Sequence, residues 1–277
     1  MILMKKRRGR VASTILSAGY NRTNSEKKTH YHDSHEILYV THGSAVVMVN
    51  GVQHRIDPGQ LVIFSRFEQH SVTDMSEDYT RYVIQISPVS VFDSQKNLRL
   101  FSVLSNRPVG FSNVLDMGQD GQSVQGILQR IVREFRGEEA WKTEFLELLL
   151  QELLILICRR CQDVSIFEEN SVLDMVAQLQ YRLASQLQNR YSLEELARDF
   201  GISPSSLSHS FKRITGIPVM EYLLCCRLAA AKEQLAHTDL SISRIVELCG
   251  FTDGSNFGRV FRQRMGMSPS DFRKQFR

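Results

Sequence analysis

The chain has 277 residues, a formal net charge of +4 and an apolar share of 42%. That length suggests two domains with separate cores, and the composition is that of an ordinary globular protein rather than a disordered or membrane-embedded one. Five cysteines (Cys158, Cys161, Cys225, Cys226 and Cys249) make neither a disulfide framework nor a paired zinc-ligand pattern, so they read as reduced thiols in a cytoplasmic protein.

The first ten residues carry Lys5, Lys6, Arg7, Arg8 and Arg10 with no apolar run behind them. They read as a solvated tail rather than a secretory signal. From 28 to 90 the pattern is β. Ala45–Val49 and Val52–Ile56 flank Asn50-Gly51, a strong hairpin signal, and further turns stand at Thr41-His42-Gly43 and Asp57-Pro58-Gly59. Closely spaced strands with such turns suggest a small barrel. Six of the eight histidines fall in the first seventy residues. His35 and His42 read as rim or loop residues, and His54 has no evident partner. Residues 91–120 carry no clear pattern.

From Gln122 the period becomes helical. Val124, Ile127, Leu128, Ile131, Val132 and Phe135 mark one amphipathic helix. Residues 141–161 form a second, apolar around much of its circumference. Phe145, Leu148, Leu149, Leu153 and Leu156 recur at helical spacing, with Leu146, Leu150, Ile155 and Ile157 off that stripe. One face is expected to pack on the barrel and on the preceding helix. The surplus predicts a partner surface, most simply that of a two-fold homodimer. The run is too short, and too interrupted by Glu147, Gln151 and Glu152, to span a bilayer, and no membrane partner is expected. Residues 162–170 are polar and read as a linker.

The remainder is helical and contains an internal echo. Leu207, Phe211, Gly216 and Tyr222 recur fifty positions on as Phe257, Phe261, Gly266 and Phe272. Upstream, Leu196-Ala197 and Gly201-Ile202 recur as Ile245-Val246 and Gly250-Phe251. Each copy reads as a helix-turn-helix. In the first, Ser192 with Glu195 forms a capping box, Gly201 ends the helix, and Ser203-Pro204 opens the next. In the second, Ser241 and Asp253 are the caps. The outward stripe of the first reader helix is Ser205, Ser208, His209 and Lys212, and that of the second is Ser255, Asn256, Arg259, Arg262 and Gln263. Arg259 is the strongest base reader, because arginine meets guanine O6 and N7 with two hydrogen bonds. Lys212 and Arg262 suit phosphates, which position without specifying. A helix over Val219–His237 separates the units. The last stretch sets Arg259, Arg262, Arg264, Arg273, Lys274 and Arg277 against Asp253 and Asp271, a basic end that suits double-stranded DNA.

Over 171–277 the chain resembles the AraC/XylS family of bacterial transcription regulators. The likeness rests on Ser192-Leu193-Glu194-Glu195-Leu196-Ala197, Gly201-Ile202-Ser203-Pro204, Phe211-Lys212, Gly250-Phe251, Ser255-Asn256-Phe257, Phe261-Arg262, Ser268-Pro269 and Phe272-Arg273. It implies a promoter-binding regulator whose base-reading positions fall on Ser205, Ser208, His209, Ser255 and Arg259. It also tilts the reading toward an activator that engages RNA polymerase. Val246 stands where alanine is usual.

Upstream, His30-x-His32-x3-Glu36-x6-Gly43 and Gly59-x5-Ser65 leading to His70 resemble the two motifs of the cupin barrel. The resemblance implies a pocket or metal-ligand set at His30, His32, Glu36 and His70. Ser65, Phe67 and Asp74 depart from the second motif, which usually has proline, glycine and asparagine there. In AraC/XylS sensors this barrel usually binds a small effector, often a sugar, without a metal. Such a pocket is the expectation adopted here, with no cofactor. The alternative is a metal-binding cupin enzyme, or a metal or redox sensor, built on the same four residues. Neither a nucleophile–base pattern nor a phosphate-cradling loop is present, so the chain reads as a regulator rather than an enzyme. The expected fold is α+β: residues 1–165 form a cupin-like effector-binding and dimerisation domain with flanking helices, and 171–277 form a DNA-binding domain with two helix-turn-helix units.

Overall fold

The computed structural model describes residues 14–22, 29–30, 32–87, 98–105, 111–161 and 171–276. The basic tail and the 162–170 linker lie outside the described residues. The N-terminal part contains β1 (Ile15–Arg22), β2 (His35–His42), β3 (Ala45–Val49), β4 (Val52–Ile56), β5 (Gln60–Phe64), β6 (His70–Thr73), β7 (Thr80–Ile86) and β8 (Val114–Asp116). Helices α1 (Leu98–Ser105), α2 (Gly121–Arg136) and α3 (Lys142–Arg160) flank them. The strands make a five-stranded sheet, β1-β7-β2-β5-β8, and a three-stranded sheet, β4-β3-β6, with antiparallel pairing throughout.

Side-chain alternation assigns each face. Leu38 and Val40 of β2 join Val47, Val62, Phe64, Val72 and Tyr79 in the core between the sheets. Ile37 and Tyr39 point the other way, with Leu61, Ile63, Ile84 and Ile86, into a second core closed by α2 and α3. The larger sheet is therefore covered on both faces, which is why β5 reads as an almost unbroken apolar run. The β3–β4 hairpin turns through Asn50 (φ 49°) and Gly51 (φ 84°), with Val49 paired to Val52. Two positive φ angles are what a type I′ turn demands, as the Asn-Gly pair predicts.

Three findings correct the sequence reading. β1 lies upstream of the predicted β region and forms an edge of the larger sheet; its half-exposed, polar-interrupted sequence hid it. His35 is neither rim nor loop but a strand residue 3% exposed, and its Nδ1 accepts a hydrogen bond from the Arg66 backbone N–H. On α3, Leu149 lies in the core at 1% exposure, whereas Leu148 is 62% exposed. The outward stripe of that helix is Trp141, Phe145, Leu148 and Ile155.

The C-terminal part comprises α4 (Ser171–Ser185), α5 (Leu193–Asp199), α6 (Pro204–Thr215), α7 (Val219–His237), α8 (Ile242–Leu248), α9 (Gly254–Met265) and α10 (Pro269–Phe276). It has two cores. One gathers Val176, Leu179, Leu196, Leu207, Phe211 and Tyr222; the other gathers Leu235, Ile245, Val246, Phe257, Phe261 and Phe272. Helix α7 belongs to both, giving Val219, Tyr222, Leu223, Cys225 and Cys226 to the first and Leu228, Ala231 and Leu235 to the second. A helix packed on opposite sides is apolar nearly all round. Arg227 ties the arrangement to the turn after α4, donating to the carbonyls of Leu187 (3.1 Å) and Asn189 (2.9 Å). No single helix among the described residues is long and apolar enough to cross a membrane.

Candidate functional site

The two reader helices, α6 and α9, start and stop alike. Ser203 caps α6 by accepting from the Ser206 N–H, and Asp253 caps α9 by accepting from the Asn256 N–H at 2.6 Å. Each ends at a left-handed glycine, Gly216 or Gly266. Leu207 and Phe211 on α6, and Phe257 and Phe261 on α9, anchor the inner faces. On α6, Ser205, His209 and Lys212 are exposed and Ser208 is half-buried. On α9, Ser255, Asn256, Arg259, Arg262 and Gln263 are all exposed. The Arg259 guanidinium donates to Asn256 Oδ1 at 3.0 Å. That bond holds the long side chain in place, so a contact made through it would lose less entropy. Together the two outward faces offer hydroxyl, amide, imidazole and guanidinium groups, the chemistry that reads major-groove edges.

In the N-terminal part, His30, His32, Glu36 and His70 come together at one end of the barrel. The His30 and His70 rings lie 4.5 Å apart, and those of His32 and His70 4.9 Å. An isolated bridge between His30 and His70 sets the first pair. The His70 ring stacks on Phe64 at 4.1 Å, and its Nδ1–H donates to the Glu68 carbonyl at 2.9 Å. Burial pushes His70 down to about 4, so it is neutral at pH 7. Its Nε2 lone pair is buried without a hydrogen-bond partner among the described residues. Glu36 is 8% exposed. Burial raises its carboxyl, but the hydrogen bond and charge of His32, with help from His70 and Gln85, outweigh that and hold it below the ordinary carboxylate value.

These contacts also test the metal alternative. Candidate ligand atoms of His30, His32 and His70 lie within 4.8 Å of one another, and three imidazoles are a suitable donor set in kind. Bonds of about 2.0–2.1 Å to one tetrahedral ion set the nitrogens roughly 3.4 Å apart, a spacing inside that limit. His32 is also committed elsewhere: Nδ1 lies 2.8 Å from the Ser34 carbonyl and Nε2 3.1 Å from Glu36 Oε2. Both ring nitrogens thus already have protein partners. A metal ion bound here would have to take a His32 nitrogen from one of these two contacts.

Sequence reasoning missed four residues here. Tyr79 and Arg81 lie inside the barrel, with the Arg81 guanidinium 5.0 Å from the Tyr79 ring. The Tyr79 hydroxyl and the Arg81 Nε and Nη1 have no partner among the described residues. Arg81 pairs with Val40 in register and so shares its inward face, a signal legible only once the register is known. Arg66 and Phe67 form the turn after β5, and Phe67 belongs to the first core of the helical part. Its ring meets Tyr222 of α7 edge-on at 5.4 Å, and Tyr222 meets Phe211 of α6 in the same way at 5.4 Å. Arg66 stacks over Phe67 and donates to the Tyr222 hydroxyl at 3.3 Å. Phe67 has φ 63°. A non-glycine residue there costs on the order of 1–2 kcal/mol, offset by burying an aromatic ring. The cupin pattern has glycine at this position, and that departure was the available signal.

Beside this contact a cavity of about 280 Å³ lies in the seam between the two parts. From the barrel side it is lined by His30, His32, Asp33 and Phe67; from α7 and the end of α9, by Leu228, Ala229, Lys232, Arg264 and Met265.

Comparison with known proteins agrees with both halves. An AraC-like ligand binding domain matches residues 10–154, and a helix-turn-helix domain matches 196–275. The chain is similar to the HTH-type transcriptional activator RhaS of Enterobacter sp. (strain 638), 27% identical over 264 residues, covering 88% of this chain and 87% of that one. RhaS of Salmonella arizonae is 26% identical over the same shares. Among solved structures, ToxT from Vibrio cholerae O395 has the same fold, with a TM-score of 0.60 at 16% identity, covering 95% of this chain and 98% of that one.

Proposed function

Because the chain belongs to the AraC/XylS family, a DNA-binding regulator with an effector-binding domain, we propose a specific division of labour. Residues 1–165 bind effector and dimerise, and 171–277 bind promoter DNA. Ser205, Ser208 and His209 read one stretch of bases; Ser255, Asn256 and Arg259 read another. Lys212 and Arg262 hold phosphates. The observation that carries this reading is the pair of like-capped reader helices whose outward faces are polar while their inward faces are aromatic and aliphatic.

The test is quantitative. Against duplexes selected by the protein from a random pool, Arg259→Ala is expected to cost about 1–3 kcal/mol and to relax preference at one base pair. Lys212→Ala is expected to weaken all sequences alike and flatten the salt dependence by about one phosphate. An equal loss for Arg259→Ala on selected and random duplexes would remove it as a base reader.

The effector in this reading is a small polar metabolite, a sugar or a near relative, held at the barrel end by His30, His32, Glu36 and His70. Neutral His70 supplies a buried acceptor and ionised Glu36 another, with His32 holding Glu36 in place; such a set suits hydroxyl groups, which donate to it. His32→Ala and Glu36→Gln are expected to abolish the effector response in a reporter assay while DNA binding without effector persists. A normal response in either variant would place the pocket elsewhere. Chelator is expected to change nothing, and loss of response on chelation would favour a metal centre instead.

The exposed apolar stripe of α3 is the proposed dimer surface, which would set two DNA-binding domains on paired sites. The activator relatives favour action through RNA polymerase in the cytoplasm. The role is regulatory rather than enzymatic.

A further inference from the structure

We infer that Gly258 is a positioning residue for DNA: its missing side chain opens a groove on α9 that seats one sugar–phosphate strand and brings a phosphate onto Arg262. This rests on the reading above, in which α9 enters the major groove.

Neither the backbone nor the packing requires glycine at 258. The residue lies inside α9 with an ordinary helical backbone, unlike the left-handed Gly266 that ends the helix. Glycine is, proline apart, the least favourable residue in a helix interior. A Cβ on Gly258 would meet nothing within 4 Å, so no neighbouring element excludes a side chain. Room alone assigns no role, because Gly126 inside α2 is equally free. Position separates the two. Gly254 and Gly258, one turn apart, floor a groove of about 540 Å³ walled by Arg259 and Arg262 of α9 and by Ser268 and Pro269 at the start of α10. A water's share of liquid volume is about 30 Å³, so a group many times larger fits, the sugar and phosphate of a nucleotide included.

Charge selects the occupant. Arg264 is held by Glu221, and the Ser268 hydroxyl donates to Asp271. Arg262 is exposed, and its side chain has neither a hydrogen-bond nor an ion-pair partner among the described residues. Four residues beyond Gly258, it is that residue's neighbour on the helix surface. A polyanionic strand laid along the groove therefore meets a free guanidinium, which binds phosphate with charge-assisted hydrogen bonds. In the first reader helix the matching positions, fifty residues earlier, are Pro204 and Ser208, and both carry side chains. The second reader helix can thus lie closer to its DNA strand than the first. A side chain at 258 would hold the strand away, and a contact stretched to about 3.6 Å is no longer a hydrogen bond.

The test uses the full-length protein with selected and random duplexes. Gly258→Ala is expected to raise the melting temperature, because alanine favours the helix. It should nevertheless lower affinity about tenfold on both kinds of duplex, the scale of one hydrogen bond to a charged group. Gly126→Ala, the control, should raise the melting temperature alike and leave DNA affinity unchanged. Gly258→Leu should flatten the salt dependence by about one phosphate, and Arg262→Ala should cost little in that background although it is costly in the parent. Parental affinity in Gly258→Ala would overturn the inference, and a lowered melting temperature would too, since it would show position 258 to be packed. A loss confined to selected duplexes would make the groove a seat for a base edge and overturn the strand assignment. Full additivity of Gly258→Leu and Arg262→Ala would break the link to Arg262. Arg259→Ala in the same assay tests the reader assignment of α9 separately: an equal loss for it on both duplexes sinks that assignment, and this inference with it.

Discussion

Gly250→Ala is expected to unfold the second helix-turn-helix unit, whereas Gly201→Ala, the same change at the matching turn, leaves the first unit folded. Both glycines have left-handed backbones, with φ of 75° and 65°. Their surroundings differ. A Cβ on Gly250 would lie 1.9 Å from the Leu187 carbonyl oxygen and 2.8 Å from its carbon, whereas one on Gly201 would meet nothing within 4 Å. Leu187 cannot retreat easily, because its carbonyl also accepts the Arg227 bond. The Gly201 change therefore costs only the left-handed penalty, about 1–2 kcal/mol. The Gly250 change adds a backbone clash and should cost about 4 kcal/mol or more. Urea unfolding of both variants, with DNA affinity measured alongside, checks this. Equal losses would mean that the 187–189 turn yields freely and that the two units are not locked through it.

The second large effect separates neighbours on α3. Leu149→Glu puts a carboxylate where the side chain is 1% exposed, between the sheet and α2. The cost is about 4–5 kcal/mol, enough to abolish cooperative melting of the sensor domain. Leu148, one residue back, is 62% exposed. Leu148→Glu should change stability by no more than about 0.5 kcal/mol, yet shift the protein from dimer to monomer in sedimentation. A Leu148→Glu protein that sediments like the parent would remove this stripe from the dimer interface.

The DNA-binding half was legible because its signals are local. Ser192 with Glu195, Ser203 before Pro204, and Asp253 mark helix starts within a few residues of themselves, and the structure makes each of those bonds. The Asn50-Gly51 turn was legible for the same reason. Helix α3 shows where such reasoning stops. Its sequence is apolar on several faces, and periodicity cannot tell which of Leu148 and Leu149 faces the core when the helix packs on both a sheet and another helix. The histidine cluster was found through motif spacing, but His35, only one residue from Glu36, was misplaced because strand alternation sends it to the opposite face. Phe67 and Lys232 could not be paired from sequence at all. They are 165 positions apart and meet only when the two halves dock, so no local pattern ties them.

Helix α7 has a consequence for how target sites can evolve. It contributes side chains to both cores, so the reader helices cannot slide apart or rotate independently without breaking one of them. A site on the genome can therefore drift by base substitution, each change costing about 1–3 kcal/mol. It cannot drift by insertion. One added base pair between the two recognised stretches moves the second groove about 3.4 Å along the axis and turns it by roughly 35°. On the proposed two-helix reading, the length of the binding site is thus written into the protein, while its letters remain open to selection.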